Sequence, residues 1–192
     1  MAEPWPQELI GRATVDTRCR RRLWRHGNSN RRQQVKELAY YLNDHLAGSI
    51  GAIELLDHLT AQYQGKPLGQ FFSDLRREIE ADQKVLRTLM LRFNARQSTI
   101  RKIGAWFGEK FGRARTKLAG EKRGEVGLLD ALEILVLGIT GKQLLWRALS
   151  AALGDSPLLK GADLAKLEER AIEQIERVEA KRLEAAREAF LR

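Results

Sequence analysis

The sequence predicts an all-α protein, an antiparallel four-helix bundle with a helical crossover between helices 2 and 3. Three observations predict it. Apolar residues recur at helical spacing in four stretches, each of roughly 25 residues or more and so about 40 Å long as a helix. No stretch alternates convincingly enough to be a strand. The four prolines, at positions 4, 6, 67 and 157, all fall outside the expected helix interiors. The links between these stretches are short except between the second and third, and a bundle with one long crossover joins helices in that way. A chain of 192 residues is long enough for one domain with a real core.

Residues 1–32 read as a basic, poorly ordered arm, with a short helix possible near residues 6–25, and residues 33–192 as the bundle. Arg18, Arg20, Arg21, Arg22 and Arg25 crowd around Leu23 and Trp24. High charge with poor periodicity argues for weak order. The first helix is expected over residues 32–63. Leu38, Leu42, Leu46, Ser49, Ile53, Leu56 and Thr60 recur along one face, and Gly65 ends it. Pro67 then opens the second helix at the position proline tolerates best. Its inner face runs Leu68, Phe72, Leu75, Ile79, Asp82, Leu86, Leu89 and Phe93, so one carboxylate sits inside an apolar stripe.

Residues 97–113 predict the crossover helix. Ile100, Ile103, Trp106, Phe107 and Phe111 share a side, and Gly104, Gly108 and Gly112 recur every fourth residue. Residues 126–153 are apolar almost all round from Leu128 to Ile139, which places that helix centrally. Gly154-Asp155-Ser156-Pro157 stops it. The last helix, 163–190, carries Leu164, Leu167, Ala171, Ile175, Val178, Ala185 and Ala189 at near-heptad spacing, with Arg182 in a core-facing slot.

Charge and cysteine usage bound the function. Net charge is +9, spread unevenly. Residues 1–36 hold nine Lys/Arg against three acids, and residues 92–123 hold ten against two. Such a field attracts polyanions, so Arg20, Arg21, Arg22, Lys110, Arg113, Arg115 and Lys117 are the candidate contacts to nucleic acid or an anionic membrane surface. A solvated basic surface that aids solubility is the plainer reading. The aromatics of 100–117 can dock on a membrane, close one side of the bundle, or form a homodimer surface. The single Cys19 excludes an intramolecular disulfide framework and suits a reducing compartment. With no apolar run of membrane-spanning length and no secretory h-region, the expected location is the cytoplasm.

The order and lengths of the helices resemble the ferritin-like superfamily of carboxylate-bridged di-metal proteins. The run Tyr41-Leu42-Asn43-Asp44-His45-Leu46-Ala47-Gly48, with Gly141-Lys142 and Leu145-Trp146-Arg147-Ala148-Leu149, also resembles an uncharacterised bacterial family of helical proteins, over most of residues 36–150. The second resemblance implies no activity. The first implies iron or manganese held by inward Glu on two helices and Glu-x-x-His on the other two.

Helix phasing tests that implication. Between Tyr41 and His58 the chain gathers Asp44, His45, Glu54, Asp57 and His58, like a metal-binding helix. At 100° per residue, Asp44, Glu54 and His58 turn away from the core direction, Asp57 lies at a flank, and His45 lies near the core edge. Ser49 takes the slot of a bridging Glu. The second helix offers Ile79 and Asp82 where Glu-x-x-His belongs, and the last helix has no His. A standard di-metal centre is therefore not expected. His45, Asp82 and Glu133 are the candidates for a mononuclear or unusual site. With the metal ligands degenerate, Asp82 is expected to pair with Arg182 across the second and fourth helices, or with His45 or a buried hydroxyl, because buried charges need partners. Gly48, Gly51 and Ala52 then read as a close-packing face.

No catalytic triad is legible around His26, His45 and His58, and no phosphate-binding glycine loop follows a strand. No catalytic or cofactor-binding residue is assigned. The sequence leaves three function classes: a non-catalytic ferritin-like protein with a degenerate metal site, a divergent di-metal or mononuclear metal-binding oxidoreductase, and a polyanion-binding protein that uses its basic segments.

Overall fold

The structure, a computed structural model, describes residues 17–95, 124–154 and 156–191, and side chains within 33–95, 126–154 and 156–191. The described residues form four α-helices: α1 (Thr17–Gln62), α2 (Pro67–Arg92), α3 (Gly124–Leu153) and α4 (Leu164–Phe190). A short 3-10 turn, Pro157–Leu159, precedes α4, and the described residues contain no strand. None of the described helices is long and apolar enough to cross a membrane.

The boundaries follow local chemistry. α1 begins at Thr17, fifteen residues before the start that the apolar periodicity gives. Proline is absent from that stretch, and arginine, a good helix former, dominates it and offsets Gly27, Asn28 and Asn30, so the helix extends beyond its amphipathic part. Gly65, at φ 77°, makes the left-handed turn between α1 and α2, and Pro67 occupies the first turn of α2. Gly69 is required by a close approach, since a Cβ there would lie 2.2 Å from the Tyr63 carbonyl oxygen. α2 ends in a Schellman motif. Ala95 N–H donates to Met90 O at 2.9 Å and Asn94 N–H to Leu91 O at 3.1 Å, with Asn94 at φ 53° in the place glycine usually takes. At the start of α4 the Asp163 carboxylate caps Lys166 N–H at 3.0 Å.

Two apolar clusters make the core. The first combines Leu56, Leu59, Phe72, Leu75, Leu132 and Val178 with their neighbours, from late α1, early α2, the first half of α3 and the later turns of α4. The second takes the complementary parts, with Leu42, Leu46, Leu89, Trp146 and Leu164. Thus the described chain leaves α2 from the second cluster, at Ala95, and returns into the first, at Leu128. Arg92 fixes the level of the turn before α4. Its Nη1 donates to the carbonyls of Leu158 and Lys160, at 3.2 and 2.7 Å.

α1 packs closely along α2, and α3 along α4, whereas α1 and α3 approach at only a few points. α2 and α4 face each other through long polar side chains.

Candidate functional site: a buried charge lattice and the cleft beside it

The site is built where the two apolar clusters meet. Asp82 interrupts the apolar face of α2 and is 1% exposed. A buried carboxylate without partners is untenable. Lys142 of α3 donates to its Oδ2, and Arg170 of α4 donates to its Oδ1, so each oxygen faces a cation from a different helix. Lys142 also donates to Oε1 of Gln174, a fully buried amide on α4. Gln174 Nε2 in turn donates to Glu78 Oε2 at 2.9 Å. Arg177 grips both oxygens of Glu78, Nη1 donating to Oε1 at 3.0 Å. Glu78, Asp82, Lys142, Arg170, Gln174 and Arg177 therefore form one continuous lattice across three helices. Each end of the Gln174 amide is used, so its orientation is fixed by the charges on either side.

Electrostatics follows burial and pairing. Burial pushes the Lys142 ammonium below the usual lysine range, against the opposing pull of the Asp82 carboxylate. For Glu78, burial alone would raise the carboxyl, but hydrogen bonds from Arg177 and Gln174 outweigh it and hold the group below the ordinary glutamate value. His45 is pushed down by burial, with Asp44 opposing. Its ring lies edge-on to Tyr41, with centroids 4.6 Å apart.

A cleft of about 340 Å³ opens beside the lattice, between α1, α2 and α3. Its apolar walls are Ile79, Leu86, Ile134, Leu137, Ile139 and Leu145. Its polar lining includes Lys142 and Asp82, together with His45 and the Ser49–Gln83 pair. Gln83 Nε2 donates to Ser49 Oγ at 2.9 Å, and that hydroxyl donates to Leu46 O at 2.7 Å. The cleft exists because small residues line two facing helices. Gly48 and Ala52 do so on α1, and Gly138 and Gly141 on α3, where a Cβ at either glycine would meet nothing within 4 Å.

Several expectations need correction. Arg182 does not pair with Asp82. It binds Glu179, with Nε to Oε2 at 2.6 Å, and Glu133, with Nη1 to Oε1 at 3.4 Å. The reason is axial level. Counted from the end where Arg92 holds the turn before α4, Asp82 lies about 15 Å along α2, Arg170 about 9 Å along α4 and Arg182 about 27 Å. A long arginine side chain closes the first gap and not the second.

The trio His45, Asp82 and Glu133 is not assembled either. His45 and Asp82 line the same cleft, but Glu133 is exposed and held by Arg182. Among the described residues no group of three or more His, Cys, Asp or Glu side chains is placed to hold a metal ion. Asp44 and Glu54 are exposed, as the phasing implies, whereas His58, turned outward by the same phasing, is half-buried; Asp57, at the flank, is exposed and pairs with Arg76 of α2. Gly48 and Ala52 border the cleft, and Gly51 and Ala52 are buried. The side chains of Arg20, Arg21, Arg22, Lys110, Arg113, Arg115 and Lys117, and the crossover helix over 97–113, lie outside the described residues.

The sequence reading missed Lys142, Arg170 and Gln174. Gln174 lies on the core side of α4, three residues after Ala171 and four before Val178, and that spacing was the available signal. Comparison with protein-family models, curated proteins and solved structures gave no match.

Proposed function

We propose that this chain is a ferritin-like helical bundle with a non-catalytic, binding or structural role, in which a lattice of ion pairs stands where that architecture would imply a metal centre. The complementary sharing of the two clusters among the helices supports such a bundle, because an up-down-down-up order with one long link between α2 and α3 produces it. The observation that carries the reading is the environment of Asp82. Both carboxylate oxygens accept from cations, Lys142 and Arg170, and the neighbouring polar group is an amide already committed at both ends. A divalent ion needs several anionic or neutral donors around it. At Asp82 it would have to displace two positive charges, so the residues present do not fit a metal.

The test is metal analysis of untagged protein incubated with iron(II) or manganese(II), with melting temperatures recorded alongside. The expected result is metal well below one equivalent and an unchanged melting temperature. Stoichiometric iron or manganese that is lost on Asp82→Ala would overturn the proposal in favour of the divergent metal-binding oxidoreductase. The polyanion reading draws its support from the charge of +9. Its signature is salt-dependent retention on DNA or anionic vesicles, abolished by deleting residues 1–32 and neutralising the basic residues of 110–117.

A further inference from the structure

The cleft beside the lattice has the build of a ligand site, and its chemistry selects a class of ligand. We infer that it binds a small amphipathic acid, with the carboxylate on the Lys142 ammonium and the hydrocarbon chain along the walls formed by α2 and α3.

Size is the first observation. A volume of about 340 Å³ lies in the range of small-molecule sites. It has room for roughly a dozen carbon-sized atoms, at the ~30 Å³ each that a water molecule takes in the liquid. The second is polarity. Apolar side chains supply most of the lining, and Leu137 at the rim is 72% exposed, so an apolar chain entering the cleft covers surface that otherwise faces water. The third is the charge at the inner end. An ammonium has three N–H donors. Lys142 spends one on Asp82 and one on Gln174, and no acceptor for the third is found among the described residues. Lys142 is also part of the cleft lining.

At the buried end of the lattice two cations, Lys142 and Arg170, face the single carboxylate of Asp82, while Arg177 is matched by Glu78. One further negative charge balances that end. A carboxylate from the ligand meets both needs, an acceptor for the third N–H and the missing charge. A cationic amphiphile meets neither, although the exposed Asp44 at the rim offers it a solvated partner. The inference goes beyond the metal reading, since it asks only that Lys142 remain a donor facing the cleft.

The experiment is calorimetric titration of the full chain with decanoate, decanol and decyltrimethylammonium, each below its micelle concentration. It is repeated on Gly138→Leu/Gly141→Leu, which fills the cleft from positions where added side chains meet open space. The expected result is saturable decanoate binding, at least tenfold tighter than binding of either other probe. Decanoate affinity should fall at least tenfold in the filled variant, whose melting temperature should be equal or higher. The variant controls for the general attraction of a basic protein to anions, because its charge is unchanged. Decanol or the cationic probe binding as tightly as decanoate would overturn the head-group assignment. Decanoate binding that survives in the folded, filled variant, or no saturable binding of decanoate to the natural chain, would overturn the site.

Discussion

Replacing Asp82 by leucine removes the counter-charge from two cations at once. Lys142 is the more constrained of the two, with its side chain 13% exposed against 33% for Arg170. Removing one partner of a buried ion pair typically costs 3–5 kcal/mol, because the remaining charge stays desolvated. Arg170 can turn part of its guanidinium to solvent, and Lys142 can lose its proton, so the lower end applies, about 3 kcal/mol. For a chain of this size that corresponds to a fall in melting temperature of roughly 6–12 °C. Adding Lys142→Met removes the stranded ammonium and keeps an apolar side chain of similar length. The double variant is expected within about 1 kcal/mol of the natural protein, so adding Lys142→Met recovers roughly 2 kcal/mol of the loss. Urea unfolding with an unchanged m-value measures both. If Asp82→Leu alone changed stability by less than about 0.5 kcal/mol, the argument that the lattice neutralises a buried carboxylate would be refuted.

Other perturbations separate space from charge. Gly138→Ala should stabilise by about 0.5–1 kcal/mol, since the new methyl meets open space and alanine is the better helix former, whereas Gly69→Ala should destabilise because its Cβ would run into the Tyr63 carbonyl; thermal melts of the pair read both signs. Ser49→Ala should cost about 1 kcal/mol by leaving the Gln83 amide without its acceptor, measured by urea unfolding. Stability should also fall in acid. Glu78 has a folded pKa below its ordinary value of 4.5, so its contribution is present above that pH and is lost as pH falls through the folded pKa, while His45 is depressed from 6.5, so burying it becomes unfavourable as pH falls below 6.5 toward its folded pKa. Glu78→Gln should flatten the lower part of that decline and His45→Gln the upper part, read from melting temperature against pH.

Helix phase was legible in the sequence, and axial level was not. The apolar stripe of α2 identifies Asp82 as an inward carboxylate, and the structure buries it. The same phasing turns Asp44 and Glu54 to solvent, where they are found, while His58, on the same outward face, is half-buried. What periodicity lacks is the offset of one helix along another. That offset sets Arg170, and not Arg182, opposite Asp82, and it depends on the Ser156–Asp163 turn and its tie to Arg92. Lys142 was hidden for a different reason. α3 is apolar on nearly every side over Leu128–Ile139, so its residues carry little phase information by which to turn Lys142 inward. The cleft was hidden as well, because a glycine such as Gly138 or Gly141 looks the same in sequence whether a neighbour fills the space beside it or leaves it open.

Lys142 is held as a buried cation against Asp82. Proton–nitrogen correlation of the lysine ammonium groups observes this directly, because an exposed ammonium exchanges its protons with water much faster than a buried one. One slowly exchanging ammonium signal is expected, which vanishes in Lys142→Met, shifts in Asp82→Asn, and titrates below the other lysines, as burial of that group requires. No protected ammonium, or a Lys142 signal that titrates with the surface lysines and ignores Asp82→Asn, would contradict it.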